Sequence, residues 1–196
     1  VFYSDNGGVV TNRIYYYYGD KAERLVTQDP LREGKAWVYE GGIRVPLVIS
    51  WLGTVKEGEL SDALVSSIDF FPTFCELLGV KTGPETDGIS LLSHLTSGAS
   101  LPERQLFWHY PHYHNTGMKP AGAIRKGQYK LIEWYENQLT ADGEGAYELF
   151  DIQNDISEAV NLRDSLPEMV REMSGELVNW REKVNAQMPV PNPDYK

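Results

Sequence analysis

The chain has 196 residues, a formal net charge of −10 and 41% hydrophobic residues, which together exclude several classes of protein. Enough apolar residues are present to bury a core, which argues against a disordered chain. The acidic balance, with no basic block, argues against a nucleic-acid-binding protein. No apolar run approaches the roughly 20 residues that a membrane span needs. The chain starts at Val1 without methionine, so we expect a piece of a longer protein.

An acid and an amide follow the first predicted strand. Residues 1–3 are apolar and lead into Ser4-Asp5-Asn6-Gly7-Gly8, whose glycines permit a sharp turn. Carboxylate and amide oxygens suit a hard cation such as calcium, and functional groups of open α/β sheets gather where strands end. Asp5 and Asn6 are therefore candidate metal ligands. The alternative is a turn whose side chains cap their own backbone.

The next segment, residues 9–42, is predicted to be long and irregular, with a cluster of tyrosines at 15–18 that suits either sugar stacking or ordinary packing. Near its end Lys35 precedes Glu40, a glycine pair and Arg44. An ammonium here could bind an anionic group held by a metal, or it could be a solvated surface charge. We expect Arg44 and Glu40 to pair as support for the loop, and Arg44 is also a candidate substrate contact.

Regular elements dominate the rest of the chain. Residues 45–51 predict a strand buried on both faces, because they form a nearly continuous apolar run. A helix is predicted at 68–78, ending at Gly79, and a short one at 90–95. Composition changes near residue 100, which places a domain boundary between residues 1–100 and 101–196. The second part predicts strands at 105–110, 122–125, 129–135 and 146–150, a helix at 166–186 and an extended tail.

Three histidines lie among aromatic residues between Trp108 and His114. We expect His109 on a strand and His112 and His114 on a loop. Such a segment could line a substrate pocket, pack structurally, or form a second metal site.

Five motifs occur in an order that resembles the later half of a type I sulfatase. They are Ser4 to Gly8, Gly34-Lys35 with Tyr39 to Pro46, Ile68 to Thr73, Asp87 to Leu92, and Tyr147 to Asp151. The resemblance implies part of an alkaline-phosphatase-like α/β sandwich, followed by a small C-terminal antiparallel sheet packed by a helix. The elements predicted above agree with that fold class.

The resemblance also implies a chemistry, the hydrolysis of sulfate esters. In this family a formylglycine, made in an N-terminal motif, attacks sulfur as its hydrate while calcium polarises the sulfate oxygens. Asp5 and Asn6 fall on the late pair of calcium ligands, and Lys35 on the sulfate-contacting lysine. The histidine segment would lie in the subdomain that leans over the active-site mouth, so His109, His112 and His114 would bind substrate. A carbohydrate sulfate is the preferred substrate, and a periplasmic or secreted parent protein is implied.

One departure from the family pattern matters, because the nucleophile motif and the earlier aspartate pair are absent from these residues. We therefore expect the chain alone to be inactive and to need the N-terminal half of the same protein. The alternatives are a non-catalytic glycan-binding module and a phosphomonoester or phosphonate hydrolase on the same scaffold.

Overall fold

The structure is a computed structural model that describes residues 1–10, 27–83, 86–138, 146–190, 192 and 194. The predicted tyrosine cluster at 15–18 lies outside them. The elements, in chain order, are β1 (Phe2–Tyr3), α1 (Glu40–Ile43), β2 (Leu47–Val48), a 3₁₀ turn (Ser67–Asp69), α2 (Phe70–Leu77), α3 (Leu92–Ser97), β3 (Gln105–Tyr110), β4 (Ala121–Lys126), β5 (Tyr129–Trp134), α4 (Tyr135–Gln138), β6 (Tyr147–Asp151) and α5 (Pro167–Lys183).

The contacts divide the chain into two compact units. The first contains Val1–Phe2 and Leu47–Arg104, and the second contains Tyr3–Pro46 and Gln105–Lys196. This division describes only the contacts within the chain, and the domain boundary near residue 100 stays a prediction. None of the helices in the described ranges has the length and apolar character that a membrane crossing requires.

In the first unit, the prediction of a long buried strand at 45–51 is wrong. Only Leu47–Val48 is a strand, and Val48 is 58% exposed. Pro46 precedes this short strand and has no amide hydrogen, so it cannot donate to a neighbouring strand. An apolar run is typical of a buried strand, but β2 pairs only with β1 among the described residues, in a two-stranded sheet.

The motif around Asp69 has a structural explanation. Asp69 is fully buried and its two carboxylate oxygens each lie 2.7 Å from an Arg104 guanidinium nitrogen. The same carboxylate accepts hydrogen bonds from the amides of Ser66 and Ile89. Thr73, one turn later, accepts the amide of Leu91 at 2.8 Å. These bonds join the start of α2 to residues 89–91, so two of the recognised motifs form one hydrogen-bonded unit.

The second unit is built on a four-stranded antiparallel sheet in the order β3-β4-β5-β6. This confirms the predicted sheet. The last residue of the predicted third strand, Tyr135, instead begins α4. The predicted long helix is also confirmed as α5, although it ends at Lys183 rather than at residue 186.

Helix α5 covers one face of this sheet. Because consecutive strand residues point to opposite faces, one set of strand residues meets the apolar stripe of the helix. The buried members of this cluster are Ile124, Leu131, Leu149, Met173 and Leu177. A buried ion pair also joins the helix to the sheet, since Arg181 of α5 lies 2.5 Å from Glu133 of β5.

The opposite face is covered by the loop that precedes α1. Val38 and Tyr39 pack there, and Tyr39 donates a hydrogen bond to Glu148 at 2.5 Å. The buried sheet residues of this cluster are Ala121, Ala123, Ile132 and Phe150. The small sheet is therefore enclosed by a helix on one side and by the Lys35 loop, residues 32–44, on the other.

Candidate functional site

Two backbone segments that carry the predicted site residues lie against each other. The amide of Gly7 donates to the carbonyl of Gly42 at 3.0 Å, and the amide of Lys35 donates to the carbonyl of Gly8 at 2.9 Å. The turn after β1 is therefore hydrogen-bonded to both ends of the segment 34–42. Residues that are about 30 positions apart in the sequence meet through their main chains.

Glycines make this close approach possible. A Cβ atom on Gly7 would lie 1.7 Å from the carbonyl oxygen of Gly41, and one on Gly41 would lie 2.2 Å from the carbonyl oxygen of Glu33. A Cβ atom on Gly42 would lie 2.1 Å from the carbonyl oxygen of Trp37. Backbone atoms cannot move aside as a flexible side chain can, so any side chain at these positions would separate the segments.

The side chains of the turn leave oxygen atoms available. Asn6 donates its Nδ2 to the carbonyl of Gly7 at 2.9 Å, and Ser4 donates to the carbonyl of Asn6 at 3.0 Å. The turn thus caps its own backbone, as one of the two interpretations expects, while the Oδ1 atom of Asn6 accepts no hydrogen bond within the described ranges. Asp5 is exposed and has no hydrogen bond or ion pair within the described ranges. Neighbouring carboxylate and amide oxygens fit the preferences of a calcium ion.

Lys35 is an exposed cation in this loop. It has no carboxylate partner among the residues that the structure describes. Glu33 and Ala36 on either side of it have φ angles of 58° and 77°, in the left-handed region that non-glycine residues rarely adopt. Such conformations persist only where the surroundings enforce them, and they cluster at functional sites. The conformation of this loop is therefore tightly determined.

A buried charge cluster lies beneath the loop. The ammonium of Lys130, on β5, is 3.0 Å from Glu40 Oε1 and 2.8 Å from Glu158 Oε1, and Lys130 and Glu158 are fully buried. The second carboxylate oxygen of Glu158 accepts the amide of Glu40 at 2.7 Å. Arg44 lies 3.4 Å from Glu40 Oε2, so the predicted pair is present. This Lys130 cluster, formed by Glu40, Lys130 and Glu158, joins α1 to the sheet.

The pKa values of the two carboxylates in the cluster are shifted in opposite directions. Burial alone would raise the pKa of Glu40, but the ammonium of Lys130, assisted by Arg125 and Arg44, holds that pKa below its usual value. Burial raises the pKa of Glu158 above its usual value, because the same ammonium offsets burial only in part and Glu40 adds repulsion. The ammonium of Lys130 therefore outweighs the cost of burial for the charged form of Glu40 but not for that of Glu158.

The histidines occupy the secondary structure that was predicted for them. His109 lies on β3, and its ring nitrogens are 2.7 Å from the Tyr135 hydroxyl and 2.9 Å from the Gln187 carbonyl. These contacts favour structural packing for His109. His112 and His114 are exposed on the loop after β3. No group of three or more histidine, cysteine or acidic residues suited to a metal occurs in the described part of the chain. The substrate-binding roles of all three histidines stay predictions.

Sequence reasoning did not find Lys130 or Glu158. Lys130 stands in a strand pattern where lysines are normally exposed, and Glu158 lies in a loop with a φ angle of 54°. Neither position carries a motif. The only available signal was Glu40, whose predicted partner was Arg44 alone.

Solved structures with this fold include sulfatases. The crystal structure of Ps i-CgsB in complex with k-i-k-neocarrahexaose aligns with a TM-score of 0.69 at 28% identity, covering 91% of this chain and 35% of that one. The structure of BT4656 in complex with its substrate D-glucosamine-2-N,6-O-disulfate aligns with a TM-score of 0.63 at 26% identity. The alignment covers 78% of this chain and 31% of that one. The fold is thus that of the C-terminal portion of an alkaline-phosphatase-like sulfatase.

Sequence relatives make the assignment specific. Residues 33–183 match the family described as N-sulphoglucosamine sulphohydrolase, C-terminal, and the chain belongs to that family. A sulfatase of Formosa agariphila is 31% identical, over 95% of this chain and 33% of the relative. An N-acetylgalactosamine-6-O-sulfatase of Bacteroides thetaiotaomicron is 32% identical, over 89% and 34%. The chain therefore spans only 33–34% of the length of these relatives. The predicted family and fold class are confirmed.

Replacing Gly7 tests the contact between the two segments. Gly7→Ala places a Cβ atom 1.7 Å from the Gly41 carbonyl oxygen, so we expect a loss of about 1–3 kcal/mol in the free energy of unfolding, as for other overpacked sites. Urea unfolding measures it. Gly175→Ala on α5 is the matched control, because nothing lies within 4 Å of its added Cβ; it should be neutral or stabilising by up to about 1 kcal/mol. Equal effects of the two changes would contradict the close packing.

Replacing Lys130 tests the buried cluster. Lys130→Met leaves two buried carboxylates without their ammonium, so we expect a loss of about 3–5 kcal/mol in the free energy of unfolding at pH 7.5. Without the ammonium, burial raises both carboxyl pKa values above the unfolded value of about 4.3. The loss should therefore be small below that pH and grow as the pH rises.

The control for this prediction is Lys119→Met, which removes a partly exposed pair with Glu136 at 3.1 Å. It should cost at most about 1 kcal/mol. Urea unfolding of both variants from pH 4 to 7.5 is the measurement. If the free energy of unfolding lost in Lys130→Met did not change with pH, the charged forms of Glu40 and Glu158 would not depend on this ammonium.

Proposed function

We propose that this chain is part of an enzyme that hydrolyses sulfate esters of a sulfated saccharide. The observation that carries the proposal is the main-chain contact between the Asp5–Asn6 turn and the Lys35 loop. It brings the acid–amide pair close to a lysine that has no carboxylate partner in the described ranges. The chain that carries them belongs to a sulfatase family. An anionic group bound there would meet both a cation site and an ammonium.

Lys35 would contact the sulfate group. Its side chain is exposed and pairs with no carboxylate in the described part of the chain, so its charge is available to a ligand. An ammonium held beside the reacting group stabilises negative charge as it develops in the transition state. The enforced left-handed residues on both sides would fix the position of this charge.

Asp5 and Asn6 would provide two of the oxygen ligands of a calcium ion. Calcium takes about 6–8 oxygen ligands, so the remaining ones would come from other parts of the protein or from water. When bound, the ion would supply positive charge that polarises the sulfate oxygens. The proposed nucleophile, a formylglycine, would lie outside this chain, and we therefore propose that the chain alone is inactive.

A saccharide sulfate is the substrate that the comparisons favour. The relatives include an N-acetylgalactosamine-6-O-sulfatase and an N-acetylglucosamine-6-O-sulfatase, and one structural neighbour binds a neocarrahexaose. In this chain, the exposed loop with His112, Tyr113 and His114 offers rings and hydrogen-bonding groups that suit a sugar.

Removing the ammonium of Lys35 tests the sulfatase proposal. In the full-length enzyme, Lys35→Ala should lower kcat on sulfated saccharides on the order of 10²-fold, because one charge contact to the transition state is lost. Sulfate release is the measurement. Lys56→Ala, which removes another exposed lysine with a surface partner, is the control and should retain normal turnover. Normal turnover in Lys35→Ala would remove Lys35 from the site.

A second variant tests the cation site. Asp5→Asn keeps the shape of the side chain but removes its charge, so the full-length enzyme should need on the order of 10-fold more calcium for half-maximal activity. Calcium titration after chelation, with sulfate release as the readout, measures the shift. Asp164→Asn, which changes an exposed acid in the second unit, is the control. An unchanged calcium requirement in Asp5→Asn would contradict the assignment.

A further inference from the structure

Glu158 is a fully buried carboxylate in the loop after β6, far in the sequence from every predicted site residue. Its φ angle is 54°, a conformation that a glutamate rarely adopts. Its amide donates to the Asp155 carbonyl at 3.1 Å, which helps to hold that turn. A buried acid in a strained turn is costly for folding, so its contacts indicate what the position does.

Those contacts bracket Lys35. The carbonyl oxygen of Glu158 accepts a hydrogen bond from the Arg32 guanidinium at 2.9 Å, and its carboxylate accepts the amide of Glu40 at 2.7 Å. Arg32 precedes Lys35 in the loop and Glu40 follows it. A single residue therefore holds the Lys35 loop on both sides of the lysine, once through its main chain and once through its side chain.

The loop is also closed on itself between these two points. The Arg32 guanidinium lies 3.9 Å from the centre of the Tyr39 ring, and the amide of Gly41 donates to the Arg32 carbonyl at 2.9 Å. The Gly41-Gly42 pair in turn contacts Gly7. A shift of the loop at Glu158 would therefore move both Lys35 and the Asp5–Asn6 turn.

We propose that Glu158 is a positioning residue of the sulfatase site, which fixes the Lys35 loop against the turn that carries Asp5 and Asn6. The inference rests on the proposed function. Glu158 touches neither the substrate nor the cation, and it acts through the amide of Glu40 and the guanidinium of Arg32. A substitution of the Glu158 side chain removes the hydrogen bond to Glu40 and the ion pair with Lys130. It leaves the bond to Arg32, because that bond uses the main chain.

The test compares Glu158→Ala with Glu158→Gln in the full-length enzyme, with kcat expressed per folded molecule. Glu158→Ala should lower kcat about 10- to 100-fold while KM changes less than about 3-fold, because misplacement of a catalytic group affects turnover most. Glu158→Gln keeps an oxygen that accepts the Glu40 amide, so it should retain kcat within about 3-fold. Glu182→Ala, which removes an exposed acid on α5, is the control.

Amide hydrogen exchange in the same variants gives a readout that does not require activity. In Glu158→Ala, the amides of Gly7, Lys35 and Gly41 should exchange at least about 10-fold faster than in the wild type, and those of β3 and β4 should be unchanged. Glu158→Gln should leave the exchange of these amides unchanged. If Glu158→Ala does not fold, Glu158→Asp replaces it, since the shorter side chain retracts from the Glu40 amide, and it should show the same pattern with smaller changes.

The proposal is overturned if kcat and exchange in Glu158→Ala, or in the aspartate variant that replaces it, equal those of the wild type. It is also overturned if Glu158→Gln is as impaired as Glu158→Ala, since the charge rather than the hydrogen bond would then matter. Failure of the proposed function is recognised separately, by a Lys35→Ala enzyme with normal turnover. In that case the exchange rates still decide whether Glu158 fixes the loop.

Discussion

The buried ammonium of Lys130 is the interaction on which the candidate site depends. It lies within 3.0 Å of one carboxylate from α1 and within 2.8 Å of another from the loop after β6. Taking three charges out of water is costly, and only close pairing offsets that cost. The cluster therefore has one stable arrangement, in which α1 is held against the sheet. Everything on the Lys35 loop is positioned relative to that contact.

The small sheet serves the site through its two faces. One face is anchored by α5, whose buried side chains and ion pair with Glu133 fix the strands. The other face carries the Lys35 loop, through the packing of Tyr39 and through the Lys130 cluster. A loop that lacks regular structure over most of its length thus gains rigidity from the sheet that it covers. This rigidity is what a charge contact to a reacting group requires.

Much of this arrangement was predictable from the sequence. The alternating strands and the long amphipathic helix have clear periodicity, and the glycines beside Asp5, Lys35 and Glu40 indicate close backbone approach. The predicted strand at 45–51 failed because an apolar run predicts burial, whereas among the described residues only the two-residue strand β1 pairs with it. Lys130 and Glu158 could not be found, because the burial of a charged residue depends on tertiary contacts that no local pattern carries. The start of α4 at Tyr135 was also missed, and there the main chain makes a tertiary contact, since the Tyr135 amide donates to the Pro120 carbonyl at 3.0 Å.

A double-mutant cycle between Lys130 and Glu40 tests the central claim most directly. The free energy of unfolding is measured by urea titration at pH 7.5 for the wild type, Lys130→Met, Glu40→Gln and the double variant. A direct buried pair predicts a coupling energy of at least about 1.5 kcal/mol, so that the double variant loses much less than the sum of the single losses. Additive losses would show that the two residues act independently, and the anchoring of the Lys35 loop by Lys130 would then be contradicted.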